Sequence, residues 1–196
     1  MVLYFDTETT SIRPGQICQL SYILQDKSCA KAKNFFFTVD SVDSSAYAVH
    51  GFSVNKLRLL SGGRRFVDYF SEIEQDFNSA DLIVAHNCNF DVMFMSKEFE
   101  RLGKVFYLPK SFCTMRAMTP VCKLKRTNSA GYKYPKLSEL CDYFGVNTNE
   151  VKEAMTCLFG EITDFHDARF DTTALYLLVN KGLPVEKALG IIKEKL

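Results

Sequence analysis

Apolar residues run from Val2 to Phe5 and stop at Asp6, and this run predicts a strand over residues 2–7. Residues 16–25 (QICQLSYILQ) and 33–39 (KNFFFTV) predict two more, with turn signals at Pro14-Gly15 and around Asp26-Lys27-Ser28. Three strands joined by such short turns form an antiparallel meander. The period then lengthens. Residues 54–60 and 64–78 predict helices broken at Gly62-Gly63, with Val67, Phe70, Ile73 and Phe77 at helical spacing. Residues 82–85 (LIVA) read as a short buried strand, 89–102 as a helix closed by Gly103, and a further strand falls near 111–115. Short helices follow at 136–144 and 149–158, a longer one covers 167–181 up to Gly182 and Pro184, and a last one fills 185–195. Strands first, then alternating helices and strands, predict an α/β fold with a mixed five-stranded sheet flanked by helices.

Composition narrows the class. The 196 residues suit one domain over 1–196, and 47% hydrophobic with 24% charged content is ordinary for a globular chain. A net charge of +1 gives no global field toward nucleic acid or membrane, so any polyanion site must be local. The 7 cysteines form no Cys-x-x-Cys pair, which argues against a disulfide framework or zinc site and for a reducing cytoplasm. The apolar start is too short for a signal peptide, and no stretch is long enough to span a bilayer, so no membrane role is expected.

The acids carry the chemistry. Asp6 and Glu8 are two apart at the end of a strand, which places both on one face, where their charges repel. Hard divalent cations relieve such a pair. Asp-x-Glu alone is weak, since a chain with 23 acids carries one by chance. Asp91, however, shares a helical stripe with Phe94, Met95, Phe99 and Leu102, and Asp171 shares one with Ala174, Leu175 and Leu178. An Asp on an apolar stripe is rarely buried unpaired. Asn87 or Asn89 suits a helix cap better than Asp91 does. Four carboxylates converging from separate elements would be mutually intolerable without metal. His166 lies five residues before Asp171, about 140° around a helix, so it leads in from a loop, where it could serve as a general base.

Together these pieces resemble the DEDDh family of 3′–5′ exonucleases, of ribonuclease H-like fold, in the branch that includes the epsilon proofreading subunit of bacterial DNA polymerase III. The motifs are FDTETT with Asp6 and Glu8, HNCNFDVMF with Asp91, and HDARFD with His166 and Asp171; VHGFS at 49–53 and KLSELCDYFGV at 136–146 match connecting segments. The sister branch has Tyr four residues before the last Asp; here that position is Asp167, which implies the histidine branch. The resemblance implies that Asp6, Glu8, Asp91 and Asp171 hold two Mg²⁺ or Mn²⁺ ions and that His166 is the base, the five forming the catalytic set. It implies that Thr9 and Thr10 line the pocket for the 3′ terminal residue, with Thr7 beside them as a further substrate contact and His50 near it as a contact or a structural residue; Phe52 and Phe90 could stack or wedge against bases or belong to the core. His86 is expected to pack near the second motif.

The implied substrate is a nucleic acid 3′ end, with single-stranded DNA favoured. RNA is the alternative, and a non-catalytic binding module is a third reading that the intact acids argue against. The stretch CKLKRTNSAGYKYPK, 122–136, holds five basic residues, Tyr132 and Tyr134, and no acid, so it could track a phosphate backbone or simply be a solvated loop. The segment NEVKEAMTCLF could be a flap or a packing insertion. The chain ends at Leu196, soon after Asp171, so the expected polymerase partner is at most a transient one.

Overall fold

The computed structural model describes residues 1–183 apart from 14, 28 and 128. Strands β1 (Val2–Thr9), β2 (Ile17–Gln25), β3 (Ala30–Phe36), β4 (Leu82–Ala85) and β5 (Lys110–Cys113) form one sheet in the order β3-β2-β1-β4-β5. The pairs β1/β2 and β2/β3 are antiparallel, while β1/β4 and β4/β5 are parallel. This is the mixed α/β sheet with the meander first, in keeping with a ribonuclease H-like fold. β1 runs two residues past its expected end because Glu8 and Thr9 keep pairing with β2 across a bulge.

Eight helices are described: α1 (Ser44–His50), α2 (Val54–Leu60), α3 (Phe66–Ser79), α4 (Cys88–Arg101), α5 (Thr114–Cys122), α6 (Leu137–Phe144), α7 (Thr148–Phe159) and α8 (Ala168–Asn180). The pattern did not predict α1 or α5. α1 buries only Ala46, so it shows no apolar stripe, and α5 contains Pro120, which reads as a breaker. The helix expected at 185–195 and the Pro184 stop lie outside the described residues.

Two cores flank the sheet. On one side, Leu3, Phe5 and Tyr22 pack against Phe66, Ile73 and Phe77 of α3 and Phe94, Met95 and Phe99 of α4. On the other, Tyr4, Ile23 and Val84 pack against Met118, Leu140, Val151, Met155, Phe170, Ala174 and Leu178 from α5 to α8. The phenylalanine excess builds the first core. Phe77 meets Phe5 and Tyr22 edge-on at 5.3 and 5.6 Å, and each such pair adds about 0.5–1.5 kcal/mol beyond area burial. α7 buries Val151 and Met155 in the second core.

Strand alternation sorts the acids. Leu3 and Phe5 face α3 and α4, and Thr7 continues that face; Tyr4 faces α8, and Asp6 and Glu8 continue that one. Pairing of β1 with β4 ends at Tyr4↔Val84, so the end of β1 that carries the acids runs past its parallel neighbour.

Candidate metal centre and its cleft

Asp6, Glu8 and Asp171 each place one carboxylate oxygen within 4.8 Å of the other two. α8 supplies Asp171 from its first turn, where a buried helix face of Phe170, Ala174, Leu175 and Leu178 presses the helix on the sheet. The Oδ2 of Asp171 accepts the His166 main-chain N–H at 3.3 Å, while its buried Oδ1 has no partner. Asp91 is buried in the first turn of α4 and stands outside that trio. Its Oδ1 accepts both the hydroxyl of Thr7 at 2.7 Å and the Thr7 N–H at 3.2 Å, so β1 fixes it in place.

The electrostatics are those of a site short of positive charge. Desolvation, then the charges of Asp91, Asp171 and Glu8, push Asp6 well above the usual carboxylate range. Burial, then Asp171 and Asp167, lifts Glu8 to about 9. Burial lifts Asp171 to about 7 against the His166 N–H, and lifts Asp91 to about 7 against the bonds from Thr7. A buried carboxylate oxygen left without a donor, next to two more carboxylates, fits a hard divalent cation, which takes oxygen ligands. Asp6, Glu8 and Asp171 could hold such an ion.

These shifts set a pH dependence. Between the ordinary carboxylate pKa and about 7 to 9, the folded metal-free protein binds protons that the unfolded chain has released. Its stability therefore falls as pH rises through that window. The expected result is a melting temperature lower by on the order of 5 °C or more at pH 9 than at pH 5.5 in EDTA. Mg²⁺ should reverse the loss, and most strongly at the higher pH, because the ion needs ionised ligands. Thermal melts in EDTA and Mg²⁺ across pH check this; a pH-independent difference between the two would count against a cation site in these acids.

His166 is exposed in the loop before α8, with φ at +67°, a left-handed conformation that is uncommon for a non-glycine residue and clusters at functional sites. The next residue anchors that loop. Asp167 caps α8 by accepting the Arg169 N–H at 3.0 Å, and it accepts the guanidinium through Nε at 2.9 Å and Nη2 at 2.8 Å. Gln19 of β2 donates to the same Asp167 Oδ1 at 3.0 Å and accepts the Ala168 N–H at 3.2 Å. Burial alone would raise Asp167, but Arg169 and Gln19 outweigh it and hold the carboxyl below its ordinary value. Sequence reading missed Gln19 and Arg169 and used Asp167 only to place the branch. The available signal was a buried-strand Gln and an Arg on the apolar side of α8.

Asp6, His166 and Asp171 open on a cleft of ≈ 620 Å³ that is also lined by His86, Asn87, Met115 and the Tyr134–Leu137 segment. His86 sits here as a half-buried structural group. Its Nε2–H donates to the Pro135 carbonyl at 3.0 Å and its Nδ1 meets the Thr114 hydroxyl at 2.9 Å, while burial lowers its pKa to about 4 and keeps it neutral.

The remaining predicted contacts are more scattered. Thr7 is turned toward Asp91. Thr9 donates its hydroxyl to Ser11 O at 2.9 Å, and the Thr10 hydroxyl accepts from Gln16 N at 2.9 Å, so both brace the loop after β1. His50 joins them: its Nε2 meets Thr9 O at 3.2 Å and its Nδ1 accepts the Phe52 N–H at 3.0 Å. Phe52 is 5% exposed and packs with Cys18, Val39 and Leu57, its ring lying on His50 and edge-on to Phe36. Phe90 is half-buried and leans on Phe94 at 4.8 Å, away from the cleft lining.

Compared with protein-family models, residues 3–179 match RNase_T, described as Exonuclease. No curated protein matches the chain. No described helix is long and apolar enough to cross a membrane.

Proposed function

The chain belongs to the RNase_T exonuclease family, and on that premise we propose that it is a 3′–5′ exonuclease of the DEDDh kind that releases nucleoside monophosphates from single-stranded 3′ ends of DNA. The observation that carries this reading is the carboxylate trio Asp6, Glu8 and Asp171, with an unpartnered buried oxygen, of which Asp6 and Asp171 open with His166 on one cleft.

In this reading residues 1–196 act as one exonuclease domain. Asp6, Glu8, Asp91 and Asp171 would hold two divalent ions, Mg²⁺ or Mn²⁺. Such ions supply Lewis acidity to the phosphodiester and charge stabilisation for the departing 3′ oxygen. His166 takes the proton of the attacking water through its imidazole and is free to pass it to solvent, since the side chain is exposed. The Gln19–Asp167–Arg169 bonds hold the loop so that His166 and Asp171 keep their spacing. Thr7 keeps Asp91 turned toward the end of β1. Thr9, Thr10, His50 and Phe52 form the wall for the 3′ terminal residue, with His50 bonded to the main chain of both Thr9 and Phe52.

The test uses matched single strands of DNA and RNA labelled at either end, with Mg²⁺, Mn²⁺ or EDTA. The 3′ label should leave as a mononucleotide at the earliest times, while the 5′-labelled strand shortens one residue at a time, and EDTA should stop both. Release of the 5′ label first, internal cuts, or EDTA-insensitive cleavage would overturn the reading. Faster loss from RNA would keep the chemistry and exchange the substrate.

A further inference from the structure

The basic stretch seen in the sequence is a built structure beside the cleft. Its two arms, 123–126 and 131–136, pair at Lys125↔Tyr132, with the Lys133 N–H donating to Leu124 O at 2.8 Å. The Arg126 Nε donates to Tyr132 O at 3.1 Å and closes the ladder. The returning arm then enters the cleft wall directly, since Tyr134, Pro135 and Lys136 line the same space as Asp6, His166 and Asp171. Half-buried His86 ties that arm down by donating to Pro135 O at 3.0 Å.

Charge and aromatic exposure are arranged along it. Lys133 is neutralised by Glu139. Lys123, Lys125, Arg126 and Lys136 are exposed, and no acid interrupts residues 122–136. Tyr132 and Tyr134 keep 41% and 55% of their surface exposed, although each has an apolar ring to bury. Cations interleaved with open aromatic rings offer partners for both the phosphates and the bases of a single strand. The acidic centre repels phosphate, so a strand approaching it gains from a cationic edge on the way in.

We infer that this hairpin is the strand-binding lip of the cleft: Lys125 and Lys136 pair with backbone phosphates behind the terminal nucleotide, and Tyr134 stacks on one of the bases. The inference rests on the nuclease reading for what enters the cleft.

Fluorescence anisotropy of a labelled single-stranded 20-mer, in EDTA over a range of salt, tests it without requiring turnover. The Lys125→Ala/Lys136→Ala protein should bind with a salt slope shallower by roughly 1.4, two single-strand phosphate contacts. Tyr134→Ala should weaken binding roughly tenfold with the slope unchanged. Both changes are at exposed positions, and the melting temperature should stay at the wild-type value. Wild-type slope and affinity in both variants, or no binding of the 20-mer by the wild type, would overturn the lip. Hairpin-dependent binding by a protein that never shortens a strand would sink the nuclease reading and leave the lip; strand shortening with an unmoved slope would do the reverse.

Discussion

Asp6→Ala is expected to abolish strand shortening, with a loss on the order of 10³-fold or more, while the protein remains folded. Asp6 shares the trio with Glu8 and Asp171 and opens on the cleft, so it would be a ligand of any cation bound there. It is also the acid most crowded by like charge, with Asp91, Asp171, Glu8 and Asp167 all raising its pKa after desolvation. Removing it relieves repulsion in the metal-free protein. Stability in EDTA should therefore hold or rise, and the stabilisation by Mg²⁺ should shrink. Rates on a 3′-labelled strand, paired with thermal melts, check both halves. Retained turnover would remove Asp6 from the chemistry. Lost turnover with a collapsed melt would show a structural residue instead.

His166→Ala should slow the reaction by roughly 10²- to 10⁴-fold, the usual contribution of a positioned general base. Mn²⁺ affinity should stay within about twofold of wild type, because His166 reaches Asp171 only through a main-chain N–H that alanine keeps. One complication is backbone. With φ at +67°, alanine is strained where histidine already sits, so His166→Asn is the cleaner second variant, since asparagine tolerates that conformation. Both variants should lose rate alike. A fall in Mn²⁺ affinity as large as the fall in rate would make His166 a ligand. Near-normal rates in both variants would remove it as the base.

Much of the fold was legible because the signals are local. The run Val2–Phe5 ending in acids, the LIVA strand and the stripes through Phe94 and Leu178 each lie within one element. The placement of Asp91 and Asp171 on buried helix faces was readable for the same reason. What could not be read depends on distant partners. Thr7 meets Asp91 across 84 residues and Gln19 meets Asp167 across 148, and no periodicity encodes such pairings. α1 and α5 escaped because one buries a single residue and the other contains Pro120. Alternation along β1 explains why Asp91 stands apart from the trio: it approaches from the α4 side, where Thr7 points, while Asp6 and Glu8 face α8.

Whether these clustered acids hold cations is tested most directly by counting bound ions. Free Mn²⁺ would be followed by electron paramagnetic resonance as wild type and Asp6→Ala are titrated at pH 8. Saturable binding approaching two ions per chain in the wild type, lost in Asp6→Ala, is the predicted result. No saturable binding by the folded wild type, or the same binding by both proteins, would contradict it.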